Sequence, residues 1–175
     1  TELIKLQDSV KPVDFNIIKK IIEKNLNQKI EDIFIYIDPN PIGSASISQV
    51  YKGVLKTGEV VAIKVKRPNL EDLISLDAEV FYKVISFLEK HSKTIKDLNL
   101  RSVISQYKYT TLREADFEIE ASNIQTFRKN FESFNEKFYI PKYYPQYSTK
   151  NILILAFIEG RKINELTLLE EEKRK

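Results

Sequence analysis

The chain has 175 residues, 42% hydrophobic and 11% aromatic, which suits one domain with a buried core and excludes a disordered chain. Its 28 basic and 25 acidic residues give a net charge of only +3, and lysine outnumbers arginine, so nothing in the charge points to nucleic acid. With no cysteine and one histidine, disulfides, thiol catalysis and Cys- or His-cluster metal sites are excluded within these residues.

In chain order, Asp14 is placed to cap a helix whose Phe15, Ile18, Ile22 and Leu26 recur at helical spacing. Asp38–Pro41, "DPNP", is loop punctuation. Two β-rich runs follow, "SQVYKGVL" and "EVVAIKVK", joined through Lys56–Gly58 as a hairpin. On the second run Val61, Ile63 and Val65 share one face, and Ala62, Lys64 and Lys66 the other. The next segment reads as a helix with one apolar stripe, Leu70, Leu73, Ile74, Val80, Phe81, Val84 and Leu88, ending near His91, which the helix dipole favours there. A second, longer helix is predicted through Phe131, with Val103, Tyr107, Leu112, Phe117, Ile124, Phe127 and Phe131 on its buried side. "KFYIPKYYPQYSTK" reads as a broken strand, Ile152–Phe157 as a continuous one, and "NELTLLEEEKRK" as the start of a short charged helix. The longest apolar run, Ile152–Ile158, falls well short of the roughly 20 residues a membrane span needs. No signal-peptide pattern is present, and the first residue, Thr1, is not Met, so the chain is expected to start inside a longer or processed protein. The order of elements predicts an α+β fold, a small antiparallel sheet with helices packed on it.

Three features carry chemistry. Lys64 stands in mid-strand after a small residue, Ala62, on its own face. Such a strand can lay a flat apolar group on Ala62 and send an ammonium toward phosphates; a solvated edge lysine has the same pattern. Asp116 and Glu120 are four apart, hence on one face of the expected helix, and repel unless a cation joins them, for which Lys64 is a candidate, as is a metal. Glu114 falls on roughly the opposite side, and a wet acidic face would read the same way. The stretch Pro41–Gly53, "PIGSASISQVYKG", is a small-residue loop running into a strand, so its backbone N–H groups can approach phosphates unobstructed. It is neither G-x-x-x-x-G-K-[ST] nor G-x-G-x-x-G, and an ordinary turn remains open for it.

Taken in series, the loop, the hairpin with V-A-I-K, a later helix glutamate, and strands leading to an exit have the order of a protein-kinase N-terminal lobe. "KLQDSVKPVDF", "PIGSASISQVYKG", "VVAIKVKRPNL", "READFEIEASN" and "YIPKYYPQYSTKNILILAFIEG" resemble, in order and spacing, the UbiB/AarF family of atypical kinase-like proteins. The resemblance runs from about Lys5 to the end. It implies that Ile42, Gly43, Ser44, Ala45, Ser46, Ile47, Ser48, Gln49 and Val50 form the family's alanine-rich loop over ATP or ADP. It likewise implies that Ala62 and Lys64 meet the nucleotide, with Glu120 as the helix glutamate paired to Lys64. Glu114 and Asp116 resemble the family's E-x-D motif, and Phe157 and Ile158, followed by Glu159, its hinge. Gly43 and Ser44 stand where alanines are usual, and Ala156 where an acidic residue is common.

The domain reading that follows is an N-terminal helical extension over 1–32, a kinase-like lobe over 33–159, and a hinge exit over 160–175. Within the lobe the sheet is expected at 35–66 and 138–157, and a family-specific helical insert with the glutamate helix at 69–133. The family's K-x-G-Q motif, and its C-terminal lobe with the catalytic Asp and the metal-binding D-F-G, are absent from these 175 residues. Mg²⁺ ligands are therefore expected from that missing lobe, no metal site within this chain, and no phosphoryl transfer by the chain alone. The resemblance further implies a role in isoprenoid-quinone (ubiquinone) biosynthesis or lipid homeostasis, with lipid, quinone-biosynthesis proteins or a membrane surface as partners. It implies an intracellular setting: cytoplasm or the membrane periphery in a bacterium, mitochondrion or plastid in a eukaryote. The alternative is a non-catalytic, pseudokinase-type scaffold that binds protein or lipid, with the insert as docking face.

Overall fold

The computed structural model describes residues 10–131 and 138–160. The first helix, α1 (Phe15–Leu26), begins where the Asp14 carboxylate accepts a bond from the Asn16 N–H at 2.8 Å, and ends at Asn27 in the left-handed region. It buries Ile18 and Ile22. A short helix α2 (Ile30–Ile33) leads into the sheet strands β1 (Phe34–Ile37), β2 (Gly43–Ser44), β3 (Ser48–Leu55) and β4 (Val60–Lys66).

The sheet is antiparallel, in the order β1–β3–β4–β5, with β5 at Ile152–Ala156. Strand β2 pairs with the start of β3 and β1 with its end, so together they form one interrupted edge. Alternation decides what each face carries. Tyr51, Leu55, Val61, Ile63, Val65, Ile152 and Ile154 join Ile18 and Ile22 of α1 in the main core. Gly53 lies where β1 presses closest, and a Cβ there would sit 2.8 Å from the Ile63 side chain and 3.2 Å from the Tyr36 carbonyl oxygen. Gly58 turns the β3–β4 hairpin with φ +90°.

Among the described residues, four α-helices lie between β4 and β5: α3 (Leu70–His91), α4 (Lys93–Asp97), α5 (Leu100–Glu114) and α6 (Phe117–Asn130). Here the structure departs from the expected elements. The single long helix is two, because Ala115 closes α5 and Asp116 takes extended backbone, accepting the Glu118 N–H on its carboxylate at 3.0 Å as the N-cap of α6. The apolar stripe of α3 is also not one buried stripe. Leu70, Ile74, Ala78 and Ile85 are buried, whereas Leu73, Val80, Phe81, Val84 and Leu88 are exposed. Helix α3 meets α5 along one narrow line, braced by Tyr82–Ser105 and Arg101–Glu89 contacts, and nothing among the described residues covers its other side. Val103 and Tyr107 of α5 are exposed for the same reason; on α6, Phe127 is exposed and Phe117 buried.

The expected broken strand before β5 contributes two isolated bridges, Tyr143 to Leu155 and Thr149 to Ile152, and a 3-10 turn at Pro145–Tyr147. Pro145 offers no ladder donor. Strand β5 stops one residue earlier than expected, although the Phe157 N–H still bonds the Val60 carbonyl at 3.0 Å. The expected charged helix after Gly160 lies outside the described residues.

Candidate functional site

The face of the sheet opposite α1 carries the site. Register sets two rows across it: Val50, Lys64 and Leu153 in one, Lys52, Ala62 and Leu155 in the next. Ala62 is the smallest side chain of the two rows, so the sheet is shallowest there. At the Leu153 end, Phe117 and Ala121 of α6 pack onto the strand as a small core of their own. That contact brings α6 over the sheet and sets its first turn beside Lys64.

Lys64 Nζ lies 2.6 Å from Glu120 Oε2 and 4.9 Å above the Phe117 ring. The two side chains are 27% and 35% exposed, so the pair is reachable from one side. It opens into a cavity of about 530 Å³. Ile47 from the small-residue loop, Asp116 and Glu120 from the start of α6, and a polar face of α5 line this cavity.

The structure gathers Lys64, Glu120, Asp116, Glu114 and Ile47 around one opening, although they come from four segments. Glu114 is the surprise, since helical spacing put it on the far side. The chain turns at Ala115 and Asp116, and a helix-face argument does not carry across that break. Asp116 is already engaged as a cap, and Glu120 by Lys64. Among the described residues no group of three or more His, Cys, Asp or Glu side chains is arranged to hold a metal ion.

The loop residues separate into two kinds. Ile42 is exposed, Gly43 and Ser44 pair with β3, and Ala45 and Ser46 are exposed at the turn. Gly43 has no positive φ, and a methyl group there would meet nothing within 4 Å, so this conformation makes no use of glycine's freedom. Ser48 and Gln49, expected among the nucleotide contacts, are buried. Gln49 turns its side chain into the core, where it accepts the Val13 N–H at 2.9 Å and donates to the Tyr51 hydroxyl at 3.1 Å. At the other end of the face, the N–H of Phe157 is taken by Val60, which leaves Ile158 as the next backbone unit toward the cleft. Lys52 reaches this end as well, 4.4 Å over the Phe157 ring and 3.5 Å from Glu159.

Sequence reasoning missed Arg113, Gln106, Tyr109, Thr110 and Asn123, all of which line the cavity. Arg113 brings a second cation, standing 5.7 Å over the Tyr109 ring. The signal was available: Gln106, Thr110 and Arg113 fall at i, i+4 and i+7, a polar face on α5 aimed at one place.

Three comparisons bear on this arrangement. The profile of the ABC1 atypical kinase-like domain matches residues 5–175. The chain is 34% identical over 172 residues to a probable protein kinase UbiB of Pseudomonas fluorescens, covering 98% of this chain and 32% of that protein. It is 33% identical over 166 residues to a chloroplastic aarF domain-containing protein kinase of Arabidopsis thaliana, covering 94% of this chain and 24% of that one. It thus spans a third or less of these relatives' length. Among solved structures, the complex of Rv3197 with erythromycin from Mycobacterium tuberculosis superposes with a TM-score of 0.70 at 24% identity, over 94% of this chain and 40% of the other, a likeness of fold. The sheet, the helices that interrupt it and the profile spanning almost every residue agree: the chain belongs to the ABC1 atypical kinase-like family, with UbiB and aarF-domain kinases as its relatives.

Proposed function

We propose that these residues form the nucleotide-binding lobe of a UbiB-like atypical kinase or ATPase. The observation that carries the reading is the Lys64–Glu120 pair, set at the foot of a small-residue loop and beside the one small side chain, Ala62, on an otherwise bulkier strip. In this reading the base of ATP or ADP lies on Val50, Ala62 and Leu155, with the backbone at Ile158 along its edge. Lys64 takes the phosphates, held in place by Glu120, and Arg113 supplies a second positive charge at the cavity. The loop over 42–47 covers the phosphates with its backbone N–H groups. An ammonium on a flexible four-carbon stem is kept aimed by such a carboxylate partner, and a part-exposed pair of this kind adds little to folding.

Mg²⁺, which neutralises phosphate charge in phosphoryl transfer, fits this picture only at the phosphate end, and its ligands are assigned to residues outside this stretch. By the same reading these 175 residues alone turn over no ATP. On the family resemblance, the proposal extends to a role of the full protein in isoprenoid-quinone metabolism, at or near a membrane. No described helix is long and apolar enough to cross one. The decisive test is thermal stabilisation by Mg-ATP and Mg-ADP, in the protein at its natural length, with and without Lys64→Ala. A clear upward shift that vanishes in the variant supports the reading; equal shifts in both proteins reject the role given to Lys64.

One observation favours a second reading, that of a non-catalytic scaffold. Val80, Phe81, Val84, Phe87 and Leu88 are 40–63% exposed along α3. An apolar face of that kind marks an interaction surface. Absence of any nucleotide-dependent shift, with tight association through α3, would favour the scaffold.

A further inference from the structure

The small-residue loop is tied down by a residue that the nucleotide reading does not use. Arg67, just past β4, donates from Nε to the Ala45 carbonyl at 2.8 Å and from Nη2 to the Ser44 hydroxyl at 2.9 Å. Both terminal nitrogens also reach the Lys11 carbonyl, at 3.3 and 3.2 Å. The Ser44 hydroxyl in turn donates to the Val10 carbonyl at 2.9 Å. The Arg67 backbone N–H bonds the Ile47 carbonyl at 3.0 Å. One planar guanidinium therefore joins two stretches far apart in sequence, residues 10–11 and 44–45, while its own backbone holds the far end of the loop. A planar fork with five donors can do this, and an ammonium cannot.

We infer that Arg67 is a positioning residue: it clamps the small-residue loop to the segment leading into α1, and so sets the loop's height over Lys64. The two ends of the loop are otherwise held differently. Its rear strand is fixed by the Gln49–Val13 bond, and Ile47 packs against the cluster of Leu70, Ile74 and Ala115. Ser44 pairs with Gln49 of β3 and the Ala45 N–H bonds the Ser48 carbonyl at 2.9 Å, so the hairpin holds its own shape, and Arg67, with the Ser44–Val10 bond, is what joins it to residues 10–11. The consequence is a coupling. A displacement of residues 10–11 is transmitted through one guanidinium to the backbone that would cover the phosphates, so the N-terminal segment becomes a handle on the site. The effect on ligand rests on the nucleotide reading above; the clamp itself does not.

The experiment separates the two. Hydrogen exchange of the amides from Ser44 to Ile47 would be followed in the protein at its natural length, as wild type, Arg67→Ala, Arg67→Lys and Ser44→Ala, with the β4 amides as internal reference. Exchange in the loop is expected to rise about tenfold in Arg67→Ala and nearly as much in Arg67→Lys, with β4 protection retained. Ser44→Ala should change it less and in the same direction. Mg-ATP affinity is expected to fall about tenfold in Arg67→Ala, since small misplacements of a covering group are costly. Unchanged loop exchange in Arg67→Ala overturns the inference, as does full restoration by lysine. Loosened exchange with unaltered affinity overturns the link to the ligand. If the wild type binds neither Mg-ATP nor Mg-ADP, the nucleotide reading fails, and the exchange data still decide the clamp.

Discussion

Lys64 of β4 and Glu120 of α6, 56 positions apart, meet at 2.6 Å. Between them in sequence lie the end of β4, the α3–α5 helical insert and the start of α6. The pair is partly exposed, so its contribution to stability is small, about 0–1 kcal/mol. Glu120→Gln is accordingly expected to leave the unfolding midpoint in denaturant nearly unchanged. It should weaken Mg-nucleotide binding by about tenfold, because Lys64 loses the partner that aims it. Isothermal titration of the two proteins checks this, and equal affinities would count against the pair's assigned role.

Asp116 does a different job from the one its spacing suggested. It caps α6, so Asp116→Ala should cost about 1 kcal/mol by chemical denaturation. Asp116→Asn, an equally good cap, should restore most of that. If charge at the cavity were the main role, asparagine would be as damaging as alanine for nucleotide affinity while rescuing stability, so the two measurements together separate cap from charge.

Two glycines predict opposite outcomes. At Gly53 a methyl group would collide with the buried Ile63 side chain and the Tyr36 carbonyl, so Gly53→Ala should destabilise by about 1–3 kcal/mol. At Gly43, where an added methyl group would meet nothing within 4 Å, Gly43→Ala should fall within about 0.5 kcal/mol of wild type. Urea unfolding of both variants tests the pair of statements. A large loss at Gly43 would mean that the loop adopts another conformation.

Acid sensitivity is expected at the hairpin turn. The Glu59 carboxylate accepts from Lys142 at 2.7 Å, from the Thr57 hydroxyl and from the Tyr144 hydroxyl, and these bonds hold its pKa down to about 2 from an ordinary 4.5. A depressed carboxylate stabilises the native state above its unfolded value. That stabilisation is lost as pH falls from about 4.5 through about 2. Glu59→Gln should flatten the stability profile over this window and leave it unaltered near neutrality in slope. Melting temperatures from pH 2 to 6 give the answer; identical slopes in both proteins would remove Glu59 from the account.

The sheet could be read in advance because it is local. Alternation in "EVVAIKVK" placed Val61, Ile63 and Val65 inward and Ala62 and Lys64 together on the other face, and the structure agrees. The start of α1 was legible from Asp14 for the same reason. The helices after β4 were harder. Their apolar residues suffice for two buried stripes, and periodicity cannot say that only one is covered. The break at Ala115–Asp116 was hidden because Asp is compatible both with a helix interior and with an N-cap.

Residue order and spacing by themselves determined the strands, the pairing of small loop with V-A-I-K lysine, and the resemblance to a kinase-like lobe, since each depends on neighbours within a few residues. Only the tertiary structure decided that Glu114 faces the same cavity as Glu120, that Gln49 turns inward, that Arg113 lines that cavity, and that Arg67 ties the small-residue loop to residues 10–11. Those placements follow from how α5, α6 and the segment before α1 dock on the sheet. That docking is a sum of long-range contacts for which no local pattern in the chain is a proxy.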